Sequence, residues 1–291
     1  MSMRYGISIP NFGDWADPRT MAGLARDAEA AGWDGFFLWD HIRFTAAPVP
    51  VQDPWILLSA IAAQTERLIL GPMVTPLPRR HPWVVARQAV SLDHLSNGRV
   101  LLGVGIGEPV DLEYAAFGED PDRKVRAEKL DEALAIIAGL WSGEEFSFSG
   151  THYHLEPMRF APLTVQQPRI PIIVAGYWPN PGPIRRAARW DGMYPLSAEP
   201  HDEDWPETFA ALVPELRERH AVHAVDGMPF EILDGGETPG PYDPAVAERN
   251  GATWWIESLN PWRYGWDESE RWPEIGPVRD RIRSGPPRAG A

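Results

Sequence analysis

The sequence contains no cysteine, so disulfides, thiolate catalysis and Cys-ligated zinc or iron-sulfur centres are excluded. It has no run approaching the roughly 20 consecutive apolar residues that cross a bilayer. Its first residues, Met1-Ser2-Met3-Arg4-Tyr5, lack a signal peptide's apolar core, and a cytoplasmic protein is the expectation. No basic cluster offsets the formal charge of -14, which disfavours nucleic acid and anionic membranes as partners, because both need Lys and Arg against phosphate. What remains is a chain of 291 residues, 44% hydrophobic, long enough for a large core and carrying 14 Trp and 31 Pro. Tryptophan's flat apolar surface suits both a core and a pocket that stacks on a planar ring.

A strand-helix unit recurs at about 30 residues, the spacing of parallel strands joined by right-handed crossovers. Strands are expected at Tyr5 to Ile9, Gly35 to Leu38, Leu68 to Met73 and Val100 to Val104. Helices follow from a Thr20 cap, from Pro54 and from Pro82, and a long one runs from about Asp122 to Trp141. Glu144 to Leu155 alternates around Gly150 and reads as a hairpin inserted at about residues 143–168, over the mouth of the fold. The unit then resumes with strands at Ile170 to Ala175, Gly192 to Leu196, Phe230 to Leu233 and Thr253 to Glu257, and with a helix from Trp205 to His220 disturbed at Pro214. Eight strands and eight helices make one α/β domain over residues 1–291, a (β/α)8 TIM barrel with a hairpin between strands 4 and 5. The tail at residues 285–291 is expected to be disordered.

In a barrel, the residues after each strand share one face, which places Asp40, His41, Met73 to Thr75, Gly105 to Glu108, Gly176 to Gly182 and Glu257 together. Alone, Asp40 and His41 read as a helix cap beside a surface histidine. At a shared mouth, an imidazole and carboxylates can supply acid and base with tunable pKa values. Glu108 is either that second group or a solvated loop residue. The loop Gly176-Tyr177-Trp178-Pro179-Asn180-Pro181-Gly182 ends at a helix N-terminus that favours phosphate, with Arg185 and Arg186 either phosphate contacts or solvated charges. Glycines 103, 105 and 107 are not a dinucleotide fingerprint, because the unit is the fourth repeat and not the first. His152 and His154 lack a third metal ligand and read as hairpin surface, and no metal site is expected.

Four stretches together resemble one family: Arg80-His81-Pro82 with Ala86-Arg87-Gln88, Leu92 to Arg99, Leu102 to Glu108, and Arg185 to Gly192. They are similar to the luciferase-like flavin- and deazaflavin-dependent oxidoreductases, which are TIM barrels with an insertion near strand five. The Asp40-His41 pair and Glu108 resemble the branch that uses coenzyme F420. That resemblance implies Asp40, Met73, Val74, Asp111, Gly176 and Gly182 as cofactor contacts, the Met73 and Val74 backbone pressing on the ring, and His41 and Glu108 handling protons. It implies hydride transfer between F420 and a small organic substrate. An FMN-dependent monooxygenase, fed reduced flavin by a partner reductase, is the alternative, and a non-catalytic flavin-binding barrel is the alternative of another class. A homo-oligomer is expected, because relatives pair through helices on one flank. Sugar phosphates are disfavoured as substrates, since basic residues for them are not evident at the mouth.

Overall fold

The computed structural model describes residues 2–197, 203–269 and 271–288. The chain begins β1 (Arg4–Ile9), α1 (Pro18–Ala30), β2 (Gly35–Leu38), α2 (Pro54–Ala62), β3 (Ile69–Pro72), β4 (Thr75–Pro76), α3 (Pro82–Ser96) and β5 (Leu102–Gly105). A short α4 (Val110–Glu113) and the long α5 (Arg123–Trp141) precede the antiparallel hairpin of β6 (Phe146–Ser149) and β7 (His154–Met158). The repeat then continues through β8 (Ile172–Tyr177), α6 (Pro181–Ala187), β9 (Gly192–Leu196), α7 (Trp205–His220), β10 (Glu231–Gly236), α8 (Pro244–Arg249), β11 (Trp254–Ser258) and α9 (Ile275–Arg283).

Nine parallel strands lie in the order β3-β2-β1-β11-β10-β9-β8-β5-β4. β4 continues the line of β3 beyond the cis peptide Met73-Val74, and a parallel bridge between Leu70 and Val100 joins the first strand of that order to the chain entering β5. The nine strands are therefore the eight staves of the expected barrel, closed on itself. Close approach at the seam needs glycine: a Cβ on Gly71 would stand 1.8 Å from the Leu101 carbonyl oxygen. Phe37, Met73, Leu101, Ile173, Leu233, Trp254 and Ile256, drawn from six staves, fill the interior as one buried cluster. Their sequence neighbours, such as Phe36, Leu38, Leu102, Ile172 and Trp255, face the helices in the larger cluster, as the two-residue period of a strand requires.

Helix starts reuse one device, an aspartate followed by proline. Asp17, Asp53 and Asp243 each accept from the first free amides of α1, α2 and α8, and the proline behind each lacks an N–H that the helix could not pair. The cap of α1 is thus Asp17 and not Thr20, whose own amide is one of the two donors. Pro214 sits within α7 without ending it. The hairpin lies along the flank formed by α5 and α3, where Glu132 accepts from the amides of Thr151, His152 and Tyr153, and Tyr153 meets Trp83 edge to face. The expected mouth position is not where those contacts hold it. The tail is tied down through Arg288, which donates to Gly32 O and Asp34 Oδ2, each at 3.1 Å; residues 289–291 lie outside the described residues.

Candidate active site

β2 delivers Asp40 and His41 at its carboxyl end. Asp40 is 1% exposed, and its carboxylate accepts from Arg80 at 2.7 Å, from Arg79 at 3.1 Å and from the Thr75 hydroxyl. Burial alone would raise its pKa, but the Arg80 and Arg79 charges, with the Arg80 and Thr75 hydrogen bonds, outweigh burial and hold it below the usual carboxylate range. Asp40 is therefore a fixed negative charge with no lone pair spent on solvent.

His41 is placed by Asn11, which accepts from the His41 amide at 3.0 Å and donates to its carbonyl at 2.9 Å. Its ring Nδ1 lies 3.1 Å from Glu113 Oε1. That same oxygen accepts from the amides of Ile42 and Arg43 at 2.8 and 3.0 Å, so Glu113 offers only acceptor capacity and the imidazole donates from Nδ1. Nε2 is left as the proton acceptor. Glu113 is 1% exposed, and its other oxygen lies 3.0 Å from Arg79 Nε, an ion pair and not an aligned hydrogen bond. One guanidinium thus joins Asp40 to the carboxylate that orients His41.

The carboxylate that meets His41 is Glu113, not Glu108. The Glu108 side chain is 51% exposed, 3.5 Å from Arg126, and its charge helps raise the Tyr177 hydroxyl pKa, chiefly raised by burial. Glu108 and Tyr177 therefore share the mouth, and no contact among the described residues joins Glu108 to His41. Asp111 is exposed in the first turn of α4. The loop that carries both is held by Tyr114, which donates to Ile106 O at 2.7 Å, and by Arg126, which donates to the Ile106 and Gly107 carbonyls.

Above the interior plug, several inward positions are small, Ser8, Gly103, Gly105, Ala175 and Gly235, beside the ring of Tyr194, which stands in register with Ala175. A Cβ on Gly103 would stand 2.4 Å from Pro72 O and 2.9 Å from Met73 Sδ, and one on Gly105 would stand 3.0 Å from Val74 Cγ2. The glycines let the Met73-Val74 backbone and the Val74 side chain seat against β5, which buttresses that peptide at the mouth and fits a flat ring laid over it. The strand-five loop fits an anion less well. Pro181 and Pro183 remove two of the first three amides of α6, leaving Gly182, where an added Cβ would meet nothing within 4 Å, and Ile184. Gly176 packs on Pro183. Arg185 is exposed, whereas Arg186 is neither a solvated charge nor a phosphate contact: it is buried against Asp131 of α5 at 2.7 and 2.8 Å.

Beside His41 stands a wall of rings. Phe44 lies 4.7 Å from the imidazole, and Phe12 and Trp39 lie 5.8 Å from it. Trp262 leans on Phe44 and Trp39, while Trp254 and Trp255 are fully buried in the plug and the outer core. Glu257, expected at the mouth, points outward into Thr238, Arg263 and Arg281. His152 and His154 pair with Glu128 and Glu156 on the hairpin flank.

A family model described as luciferase-like monooxygenase matches residues 3–254. The chain belongs to that family. Among curated proteins, an F420-dependent glucose-6-phosphate dehydrogenase of Gordonia bronchialis is 36% identical over 256 residues, 84% of this chain and 71% of that protein. The corresponding proteins of Beutenbergia cavernae and Nakamurella multipartita are 36% and 37% identical, and the chain spans only 58% and 44% of their lengths. Among solved structures, an F420-dependent secondary alcohol dehydrogenase with an F420-acetone adduct superposes with a TM-score of 0.73 at 18% identity, covering 90% of this chain and 94% of that one. The coenzyme F420-dependent tetrahydromethanopterin reductase of Methanopyrus kandleri gives 0.67 at 15% identity, covering 98% and 97%. These two likenesses establish a shared fold.

Of the residues in this site, Glu113 and Arg79 were not singled out by sequence; Thr75 was placed at the mouth and Arg80 in a family-like stretch, but neither was given a role.

Proposed function

We propose that the chain is an oxidoreductase that transfers a hydride between coenzyme F420 and a small organic alcohol or carbonyl compound. The carrying observation is His41, held by Glu113 with Nε2 free at the barrel mouth beside the ionised Asp40, in a chain whose relatives are named F420-dependent dehydrogenases. F420, when bound, supplies the two-electron hydride chemistry. The protein's part is placement and proton handling. Asp40, Met73, Val74, Asp111, Gly176 and Gly182 hold the cofactor in this reading, supported by the buttressed Met73-Val74 peptide over Gly103 and Gly105. His41 Nε2 takes the hydroxyl proton of an alcohol, or returns it to a carbonyl in reverse, and Glu108 at the open side of the mouth exchanges it with water. Residues 1–291 act as one barrel domain, a reading supported by the continuous sheet, and the active form is a homo-oligomer.

Titration of the purified chain with F420 and with FMN tests this directly. Saturable binding of F420 and not of FMN is expected; binding of FMN alone would move the chain to an oxygen-using monooxygenase served by a reductase. His41→Gln should then lower turnover by about 100-fold or more and Glu108→Gln by about tenfold, with cofactor affinity kept. Unchanged turnover in both variants removes the proton-handling roles, and neither cofactor binding would leave a non-catalytic barrel.

A further inference from the structure

We infer that this site takes an uncharged substrate with an aromatic or bulky apolar body and rejects phosphorylated ones. The inference rests on the F420 reading for its chemistry, but its evidence is separate, in the wall beside His41 and in the charges of the loops that follow the strands.

The wall is rigid and apolar. Phe12 and Phe44 stack with centroids 4.8 Å apart, and Trp266 and Trp272 pack behind Phe12 at 6.1 and 5.6 Å. Trp39 spends its indole N–H on the Ser8 hydroxyl at 2.9 Å, so what it shows the mouth is ring face. Trp39 and Phe44 are half-buried, and Trp262, 37% exposed, closes over them within 6.3 Å. Planar surfaces of this kind reward burial of an apolar group and stacking on a ring.

The charges point the same way. The chain has two lysines, Lys124 and Lys129, both on α5, so none lies in a loop after a strand. Arg79 and Arg80 are committed to Asp40 and Glu113, and Arg263 to Glu257 and the Thr238 and Ser258 carbonyls. Arg43 in the loop after β2, Arg271 in the loop after β11 and Arg185 in α6 are exposed and, among the described residues, make no side-chain hydrogen bond or ion pair; solvated guanidinium groups on three separate elements are weak anchors for a dianion, which is normally met by several converging charged donors. Against this stand Asp111 and Asp120 in the loop after β5, with Glu108 and Glu119 of the same loop facing Arg126 and Lys129 at 3.5 Å. A phosphate monoester would enter against this charge, whereas a neutral molecule would not.

With a secondary alcohol the balance is complete. The carbinol C–H breaks with its electron pair, which leaves as hydride to F420; the O–H breaks, its proton going to His41 Nε2; the carbon-oxygen double bond forms, and the ketone and reduced F420 remain.

The test uses 1-phenylethanol and its ketone acetophenone as neutral aromatic probes and glucose 6-phosphate as the anionic one. Binding to the full chain, with and without F420, is read from tryptophan fluorescence, and turnover from F420 absorbance. Saturable acetophenone binding is expected, weakened about tenfold in Phe44→Ala and in Trp262→Ala, with kcat/KM for 1-phenylethanol on the order of 100-fold above that for glucose 6-phosphate. Comparable glucose 6-phosphate binding or turnover, no acetophenone binding, or acetophenone affinity unmoved in both variants overturns the inference. Because binding is also measured without cofactor, a failure to bind F420 removes the F420 reading while leaving this one open to its own result.

Discussion

Two aspartates, Asp40 after β2 and Asp234 in β10, are equally buried at 1% exposure, yet their carboxyl groups are driven in opposite directions. Asp40 faces two guanidinium groups and is held below its ordinary pKa. Asp234 faces only dipoles, the Trp205 indole at 2.9 Å, the Gly235 amide at 2.9 Å and the Tyr242 hydroxyl at 2.5 Å, and burial pushes it up to about 6 despite them. At Asp234 three neutral donors lower the pKa but do not offset burial, whereas at Asp40 two guanidinium charges added to hydrogen bonds do. Glu113 combines both kinds of neighbour, three N–H donors and one guanidinium. Asp40, the carboxylate held down, is at the barrel mouth, and Asp234, the raised one, faces the helix layer.

The most destructive way to break that comparison is Asp40→Ala, which leaves Arg79, with a side chain 2% exposed, short of its counter-charge. Unpaired buried charge costs about 3–5 kcal/mol, to be read from chemical denaturation at pH 7, and a loss under about 1 kcal/mol would show that the arginines do not depend on Asp40. Glu113→Gln should cost less stability and lower kcat about 100-fold, or about 2.7 kcal/mol in the barrier. F420 affinity should hold within about threefold, and the His41 Nδ1–H signal seen by nitrogen NMR in the parent should weaken or shift. Equal losses in binding and turnover would make Glu113 merely structural.

Asp234→Asn sharpens the contrast from the other side. A carboxyl raised in the fold from 3.8 to about 6 binds its proton more tightly when folded, so its favourable term is complete below about pH 4 and is lost as pH rises through about 6. The amide variant should therefore be more stable than the parent by on the order of 3 kcal/mol at pH 8 and by roughly half that at pH 5. Asp40 has the reverse slope, since its contribution is lost as acid protonates it below the ordinary aspartate range. An Asp234→Asn variant no more stable than the parent at pH 8 would mean that the neutral donors suffice.

The barrel was legible because its signals are local and repeated: Asp-Pro starts, Gly32 and Asn97-Gly98 stops with left-handed backbone at each, and apolar runs at fixed spacing. Strand parity was legible as well but went unused for Glu257, which is one residue from inward-facing Ile256 and so had to face the helices. Asp40 and His41 were readable from the end of an apolar run. Glu113 was not, because α4 spans only four residues inside a loop with no period to read, and its partners lie 70 to 72 positions away. The hairpin's place was hidden for the same reason: Glu132 on α5 captures it through side-chain contacts that no alternation within residues 144–155 encodes.

Arg79 also bears on how substitutions combine. Because one guanidinium answers to both Asp40 and Glu113, a change at any of the three alters what the others can tolerate, and their substitutions are expected to be non-additive. Phe44 and Trp262 answer to no shared charge. Substitutions of Phe44 and Trp262 are therefore expected to couple only through their own ring contact, while those in the ion network beneath are expected to couple through a buried charge.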